Sequence, residues 1–276
     1  MFPPELPPVL NWPLYVYRVL AKWLSFFTFG LATLTLVIIV FPFMHLILHP
    51  NKRFKKYGRR LVSSSMRGFV SFMHLLGVVD AEADNRENYR NLSSKIVVAN
   101  HPSLLDIIIL LSLIPNADCI VNTNLNRNVI VRGVIRQLYI LNSIDPEKIF
   151  RTCEESLKQG NCLIIFPEGT RTPRSGKVIL KKGSARVAMF SGCNIIPVHI
   201  GGTDKYGLGK NDPWTGFNPR ERYVYCINMG AEINPDKYRS LPMPKAVRAL
   251  NREIEAFLFP VKNAAAINGA EKYDEK

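Results

Sequence analysis

The chain has 276 residues, 47% hydrophobic and 21% charged, which excludes a disordered or collagen-like polymer and allows one sizeable domain with a shorter appendage. Thirty-six Lys and Arg against 22 Asp and Glu give a formal charge of +14, suited to anionic lipid, phosphorylated substrates, an acidic carrier protein or nucleic acid. Five scattered cysteines (Cys119, Cys153, Cys162, Cys193, Cys226), odd in number and without C-x-x-C spacing, argue against a zinc site or disulfide framework and for reduced thiols.

Leu24 to Leu48 contains no Asp, Glu, Lys or Arg, long enough to cross a bilayer core of about 20 residues. It begins too late, and lacks the flanks, for a signal peptide. The preceding Trp12–Trp23 stretch mixes aromatic and aliphatic residues around Arg18 and Lys22, as an interfacial segment does. After the apolar run comes a basic cluster, Asn51 to Arg60, which by the positive-inside tendency sets the rest of the chain on the cytoplasmic face of an inner membrane. Gly30, Pro42 and His45 leave two arrangements open: one crossing helix, or two helices entering a single leaflet.

Beyond residue 60, short apolar β-branched runs recur at 96–99, 119–121, 162–166, 194–200 and 223–227. Such runs suit strands buried on both faces. Between them, Asp145-Pro146-Glu147 to Gln159-Gly160 reads as a helix with an acidic N-cap, Pro at the first position and Gly past the end. A last amphipathic helix is predicted from about Lys245 to Phe259. The expectation is an α/β domain over 61–260 with a mixed, mainly parallel sheet flanked by helices. Residues 1–60 form the helical membrane segment and its basic flank, and 261–276 a disordered tail.

Two constellations could carry chemistry. In Asn100-His101-Pro102-Ser103-Leu104-Leu105-Asp106, the pair His101 and Asp106 leaves a strand and enters a helix, where open α/β folds place their ligands. On a continuous helix five residues would separate them by roughly 140°, so they meet only if His101 sits in the turn and Asp106 in the first helical turn. Adjacent, the carboxylate would hold the imidazole in one tautomer and the free ring nitrogen would take a proton from a hydroxyl. Ser103-x-x-Asp106 also fits a capping box, and spacing alone does not separate cap from catalyst. The second constellation, Phe166-Pro167-Glu168-Gly169-Thr170-Arg171, also leaves a strand and precedes Arg174, Lys177, Lys181, Lys182 and Arg186. Arg171 could bind phosphate bidentately, Gly169 permits close backbone approach, and Glu168 could orient a hydroxyl or neutralise Arg171.

Asn-His-x-Ser-x-x-Asp followed some sixty residues later by Phe-Pro-Glu-Gly-Thr-Arg resembles the glycerolipid acyltransferase family typified by bacterial 1-acylglycerol-3-phosphate acyltransferase. Two weaker blocks have counterparts, one ending Leu141-Asn142-Ser143-Ile144-Asp145 and one at Ile195-Ile196-Pro197-Val198, as does Lys181-Lys182-Gly183. The resemblance implies transfer of a fatty acyl group from an acyl carrier protein or coenzyme A thioester to a lysolipid hydroxyl. It makes His101 the general base, Asp106 its partner, and Glu168, Gly169, Thr170, Arg171 and Lys182 the acceptor site. It implies no metal or other cofactor and no nucleic acid partner. Departures cluster where an acceptor headgroup would bind: Asn122 to Asn126 lacks the family's Lys-Glu-Leu, Pro146 replaces Arg, and Thr172 to Gly176 is one residue longer. The resemblance implies a lysophosphatidate-like acceptor, and the departures point to a lyso-aminolipid, lipid A-type or specialised lipid as the alternative. A basic membrane-binding module without catalysis is the rival of another class.

Overall fold

The computed structural model describes residues 6–48, 51–121, 131–142, 145–174 and 178–260. The block at Asn122 to Asn126, Ser143-Ile144, Ser175 to Lys177 and the tail from 261 lie outside the described residues.

Seven strands form one sheet: β1 (Val79–Ala83), β2 (Ile96–Ala99), β3 (Ala117–Val121), β4 (Ile140–Leu141), β5 (Cys162–Ile165), β6 (Ile195–Gly202) and β7 (Tyr223–Met229). Their order is β1-β7-β6-β2-β5-β3-β4, and every neighbouring pair is parallel except β6 with β7. The mixed, mainly parallel α/β architecture read from the sequence is the one observed. β2 and β5 are buried along their whole length, which is why their residues are apolar without alternation. Successive side chains still take opposite faces. Val97 and Ala99 join a core with α3 (Asn51–Leu75) and α5 (Asp106–Leu113), whereas Ile96 and Val98 join one with α7 (Pro146–Lys158), α8 (Gly183–Ser191) and α9 (Met243–Leu258). Helix α7 starts where capping chemistry places it, with Asp145 Oδ1 accepting from the Glu147 amide at 3.0 Å. Short helices α4 (Arg86–Arg90) and α6 (Arg132–Leu138) complete the set.

The apolar N-terminus is one helical rod. Helix α1 (Trp12–Thr35) runs through a π-helical turn (Leu36–Val40) into α2 (Phe41–Ile47). Pro42 has no N–H to return to residue 38, and the ladder loosens there. At 36 residues the rod is about 54 Å long, well beyond a hydrocarbon core of about 30 Å. It stays on the domain along its length: Lys22 bonds the loop after β6, Phe29 packs on Phe69 of α3, Val37 meets Gly133 of α6, and His45 bonds Gln137. The opposite side exposes Trp12, Leu20, Trp23, Leu24, Phe27, Leu31, Ile38, Ile39, Phe43 and Leu46. The boundary expected at residue 60 falls inside α3, whose Arg59 forms a buried 2.7 Å ion pair with Asp118 of β3.

Candidate functional site

Three loops leave one edge of the sheet, from the C-terminal ends of the parallel neighbours β5, β2 and β6. The first two carry the sequence constellations. Asn100 closes the end of β2 against β6: its Nδ2 donates to Ile200 O at 2.9 Å, and the Ile200 amide donates to its Oδ1 at 2.7 Å. His101 then turns out of the strand and Asp106 opens α5, so the pair meets, with Nδ1 2.9 Å from Asp106 Oδ2. That leaves Nε2 as the ring nitrogen not turned to the carboxylate. The imidazole lies flat on Phe166, ring centroids 4.1 Å apart and planes within 17°, so its plane is fixed, and the carboxylate beside Nδ1 favours a proton on that nitrogen.

Asp106 is fully buried and takes two further bonds, from the Ser103 amide to Oδ2 at 2.7 Å and from Ser103 Oγ to Oδ1 at 2.6 Å. The first is the acid's half of a capping box. One carboxylate thus makes the cap and the contact to the imidazole at the same time. Because the Ser103 proton goes to Asp106, Tyr225 of β7 must donate to Ser103 Oγ, at 2.8 Å. Burial pushes the Tyr225 phenol well up and keeps it a donor. Over the Tyr225 ring, at 4.5 Å, lies the Lys205 ammonium, which donates to Val224 O at 2.7 Å and to Thr203 O. Burial lowers its pKa to about 8, against the pull of Asp106.

The Phe166–Arg171 loop grips the same turn. Glu168 Oε1 accepts from the His101 amide and from Thr172 Oγ1, both at 2.9 Å, and the Thr172 amide donates to His101 O at 2.7 Å. Glu168 Oε2 is buried without a hydrogen-bond partner among the described residues. Burial raises the carboxyl above its ordinary value, and the bonds from His101 and Thr172 offset part of that rise. Gly169 is needed twice: its φ is +68°, and a Cβ there would stand 2.6 Å from Lys181 Nζ. The lysine against this loop is therefore Lys181, while Lys182 stands at the N-cap of α8; both lysines and Thr170 are exposed. Arg171 Nη1 donates to Leu208 O at 2.9 Å and Gly209 O at 2.7 Å, so one end of its fork ties down the third loop. Arg174 is held bidentately by Asp204, at 2.6 and 2.7 Å, and also by Asp212.

Sequence reasoning missed Ser103 as a relay, Tyr225, Lys205, Thr172 and the 208–209 carbonyls. Of these, Thr172, four residues beyond Glu168, and Ser103, three before Asp106, left a local signal.

The acyltransferase family model matches residues 80–201, which include both constellations. The chloroplastic 1-acyl-sn-glycerol-3-phosphate acyltransferase LPAT1 of Arabidopsis thaliana is 33% identical over 130 residues, 44% of this chain and 36% of that one. The 1-acyl-sn-glycerol-3-phosphate acyltransferase of Cocos nucifera is 32% identical over 118 residues, 39% of this chain and 37% of that one. The matches thus span about a third of the length of these curated relatives. The crystal structure of the 1-acyl-sn-glycerophosphate (LPA) acyltransferase PlsC from Thermotoga maritima superposes with a TM-score of 0.61 at 24% identity, over 86% of this chain and 96% of that one. At that identity the likeness is one of fold.

Proposed function

We propose that the acyltransferase domain transfers a fatty acyl group from a thioester, on coenzyme A or acyl carrier protein, to the hydroxyl of a lysophosphatidate-like lipid at a membrane surface. The observation that carries the reading is the His101–Asp106 pair at 2.9 Å, anchored by the loop that also bears Glu168 and Arg171. His101 Nε2 takes the proton of the acceptor hydroxyl as its oxygen attacks the thioester carbonyl. The C–S bond then breaks, and the imidazolium returns the proton to the departing thiolate, giving an ester and a free thiol. Asp106 remains ionised and stabilises the transient imidazolium. Glu168 Oε2 suits an acceptor hydroxyl, and the remaining edge of the Arg171 fork suits the acceptor phosphate.

Attachment to the membrane is read from the N-terminal rod. Its outer face is a continuous apolar strip with Trp12 and Trp23 near one end. Its inner face is committed to the domain from Lys22 to His45. A crossing helix would have to part from the domain for about 20 residues. We therefore read the rod as lying in one leaflet, with exposed Arg53, Lys55, Lys56 and Arg60 of α3 available to anionic headgroups.

The test is thiol release by purified protein in detergent, given acyl-coenzyme A or acyl carrier protein thioesters with a panel of lysolipids. Lysophosphatidate-dependent release should fall by about 100- to 10,000-fold in His101→Ala, the range of a lost general base. Equal release by wild type and His101→Ala sinks the reading. Arg171→Ala should raise KM for a phosphorylated acceptor, and an unchanged KM removes the phosphate assignment.

A further inference from the structure

Lys22 is a cation in the middle of the apolar rod, and it is wholly buried. A buried ammonium is costly unless its protons are bonded, and an ionisable residue in a membrane-facing segment marks a role beyond anchoring. Its partners are two backbone carbonyls of the loop after β6: Nζ donates to Trp214 O at 2.6 Å and to Gly216 O at 2.5 Å. Residues on the same stripe of α1 grip that loop too. The Tyr15 hydroxyl donates to Thr215 O at 3.4 Å, Arg18 to Arg220 O at 3.3 Å, and Phe26 meets Trp214 edge to face at 5.6 Å. Under the ammonium two stretches of the loop cross: a Cβ at Gly207 would lie 1.9 Å from Gly216 O and 3.0 Å from Lys22 Nζ.

The next residue, Leu208, belongs to the active site. Its carbonyl accepts from the Leu104 amide, inside the turn between His101 and Asp106, at 3.0 Å, and from Arg171 at 2.9 Å. Gly209 O takes Arg171 as well, and Asp212 holds the Gly207 and Gly209 amides at 2.9 and 3.0 Å while pairing with Arg174. The loop is one short lever. Lys22 fixes one side, and the acceptor arginine and catalytic turn rest on the other.

We propose that Lys22 is a positioning residue for the acceptor site: through the loop spanning 203–222 it sets Arg171 and the His101 turn, so that the membrane-facing helix also forms the back wall of the site. This rests on the acyl-transfer reading. It predicts an asymmetry between substrates, because the loop backs the arginine assigned to the acceptor and not a donor contact.

The experiment compares wild type, Lys22→Met, Lys22→Arg and Phe26→Leu, each as the full chain in detergent micelles. Varied acyl-coenzyme A and lysophosphatidate give both KM values, and amide hydrogen exchange is followed across Tyr206–Asn218. Lys22→Met should raise the acceptor KM about tenfold or more, the scale of one lost charged hydrogen bond. The donor KM should change less than about twofold, exchange in the loop should speed up, and Lys22→Arg should recover most of the loss. If Lys22→Met lacks a cooperative melt, Phe26→Leu decides, because it leaves Lys22 in place and removes the ring contacts to Trp214 and to Phe69 of α3; it should raise the acceptor KM roughly two- to threefold. An unchanged acceptor KM, an equal rise in both KM values, or unaltered exchange overturns the proposal. Absence of acyl transfer by wild type would instead sink the acyl-transfer reading, and loop exchange alone would then judge the Lys22 grip.

Discussion

Replacing Asp106 by Asn separates its cap on the Ser103 amide from the role proposed for it beside His101. The charge is buried at 2.9 Å from His101 Nδ1, so an imidazolium formed during reaction has its charge centre about 4 Å away. With an effective dielectric of about 20, that ion pair stabilises the transition state by about 4 kcal/mol. At 1.36 kcal/mol per decade the neutral amide should therefore lower kcat about a thousandfold. The effect on folding should be smaller. Asn can place its carbonyl where Oδ2 stands, keeping the His101 and Ser103 amide donors. Its NH2 then faces Ser103 Oγ, whose proton must turn toward Tyr225. One inverted bond in a buried chain should cost about 1–3 kcal/mol. The assay is thiol release with lysophosphatidate as acceptor, beside urea unfolding of both proteins. If Asp106→Asn folds and keeps kcat within about tenfold of wild type, the ion-pair argument is wrong. A loss of stability as large as the loss of barrier stabilisation would assign Asp106 to the cap alone.

Other expectations test the surroundings. Burial raises the folded pKa of Glu168 above its unfolded value, so wild type loses stability as pH rises through that interval. Glu168→Gln does not titrate, and its Tm relative to wild type should improve from about pH 4 to about pH 8; a flat difference would mean the carboxyl is not desolvated. Asp118→Ala should cost about 3–5 kcal/mol in chemical denaturation, because it strands the buried Arg59 guanidinium, and adding Arg59→Met should recover most of it. A single-variant cost below about 1 kcal/mol would show the pair to be solvated. The triple change Trp23→Ser, Phe27→Ser and Leu31→Ser, on the exposed side of α1, should abolish co-flotation with anionic vesicles. Unchanged flotation would place membrane contact elsewhere.

What the sequence made legible follows from where each signal resides. Strands β2 and β5 are covered on both faces, so burial wrote itself into unbroken apolar runs, and β6 carries a similar run broken at half-buried His199. Edge strand β1, Val-Asp-Ala-Glu-Ala, is half solvated and shows no such run, and the two-residue β4 is too short to leave a pattern. The rod begins at Trp12 and not Leu24 because Arg18 and Lys22, which interrupt the apolar stretch, find their partners about two hundred residues away. His101 and Asp106 were readable because a five-residue turn brings them together. Tyr225 and Lys205 were not, since they reach Asp106 only through β7 returning antiparallel to β6. The choice between Lys181 and Lys182 depends on the positive φ of Gly169, which turns the loop under the first of two adjacent lysines.

The three loops at the sheet edge are held by one another as well as by their own turns. Glu168 of the second loop takes the His101 amide of the first, and His101 O takes the Thr172 amide in return. Leu208 of the third receives both Leu104 of the first and Arg171 of the second. Most of these bonds use backbone atoms, so the lock tolerates sequence change at many side chains while demanding the strand order that juxtaposes the loops. A site locked in this way presents the proposed base, the proposed acceptor arginine and the buried carboxylate with little left to reorganise when substrate arrives, which is where positioning lowers a barrier. The same interdependence means that a fault in one loop spreads to the others. Substitutions at Glu168, Thr172 or Lys22 should therefore weaken catalysis through the position of His101 or Arg171 while leaving the chemistry of those groups intact. Thr172→Val is the mildest case: it deletes one 2.9 Å bond to Glu168 and no charge, and a severalfold fall in kcat/KM at unchanged pH dependence is the signature that separates misplacement from a lost acid or base.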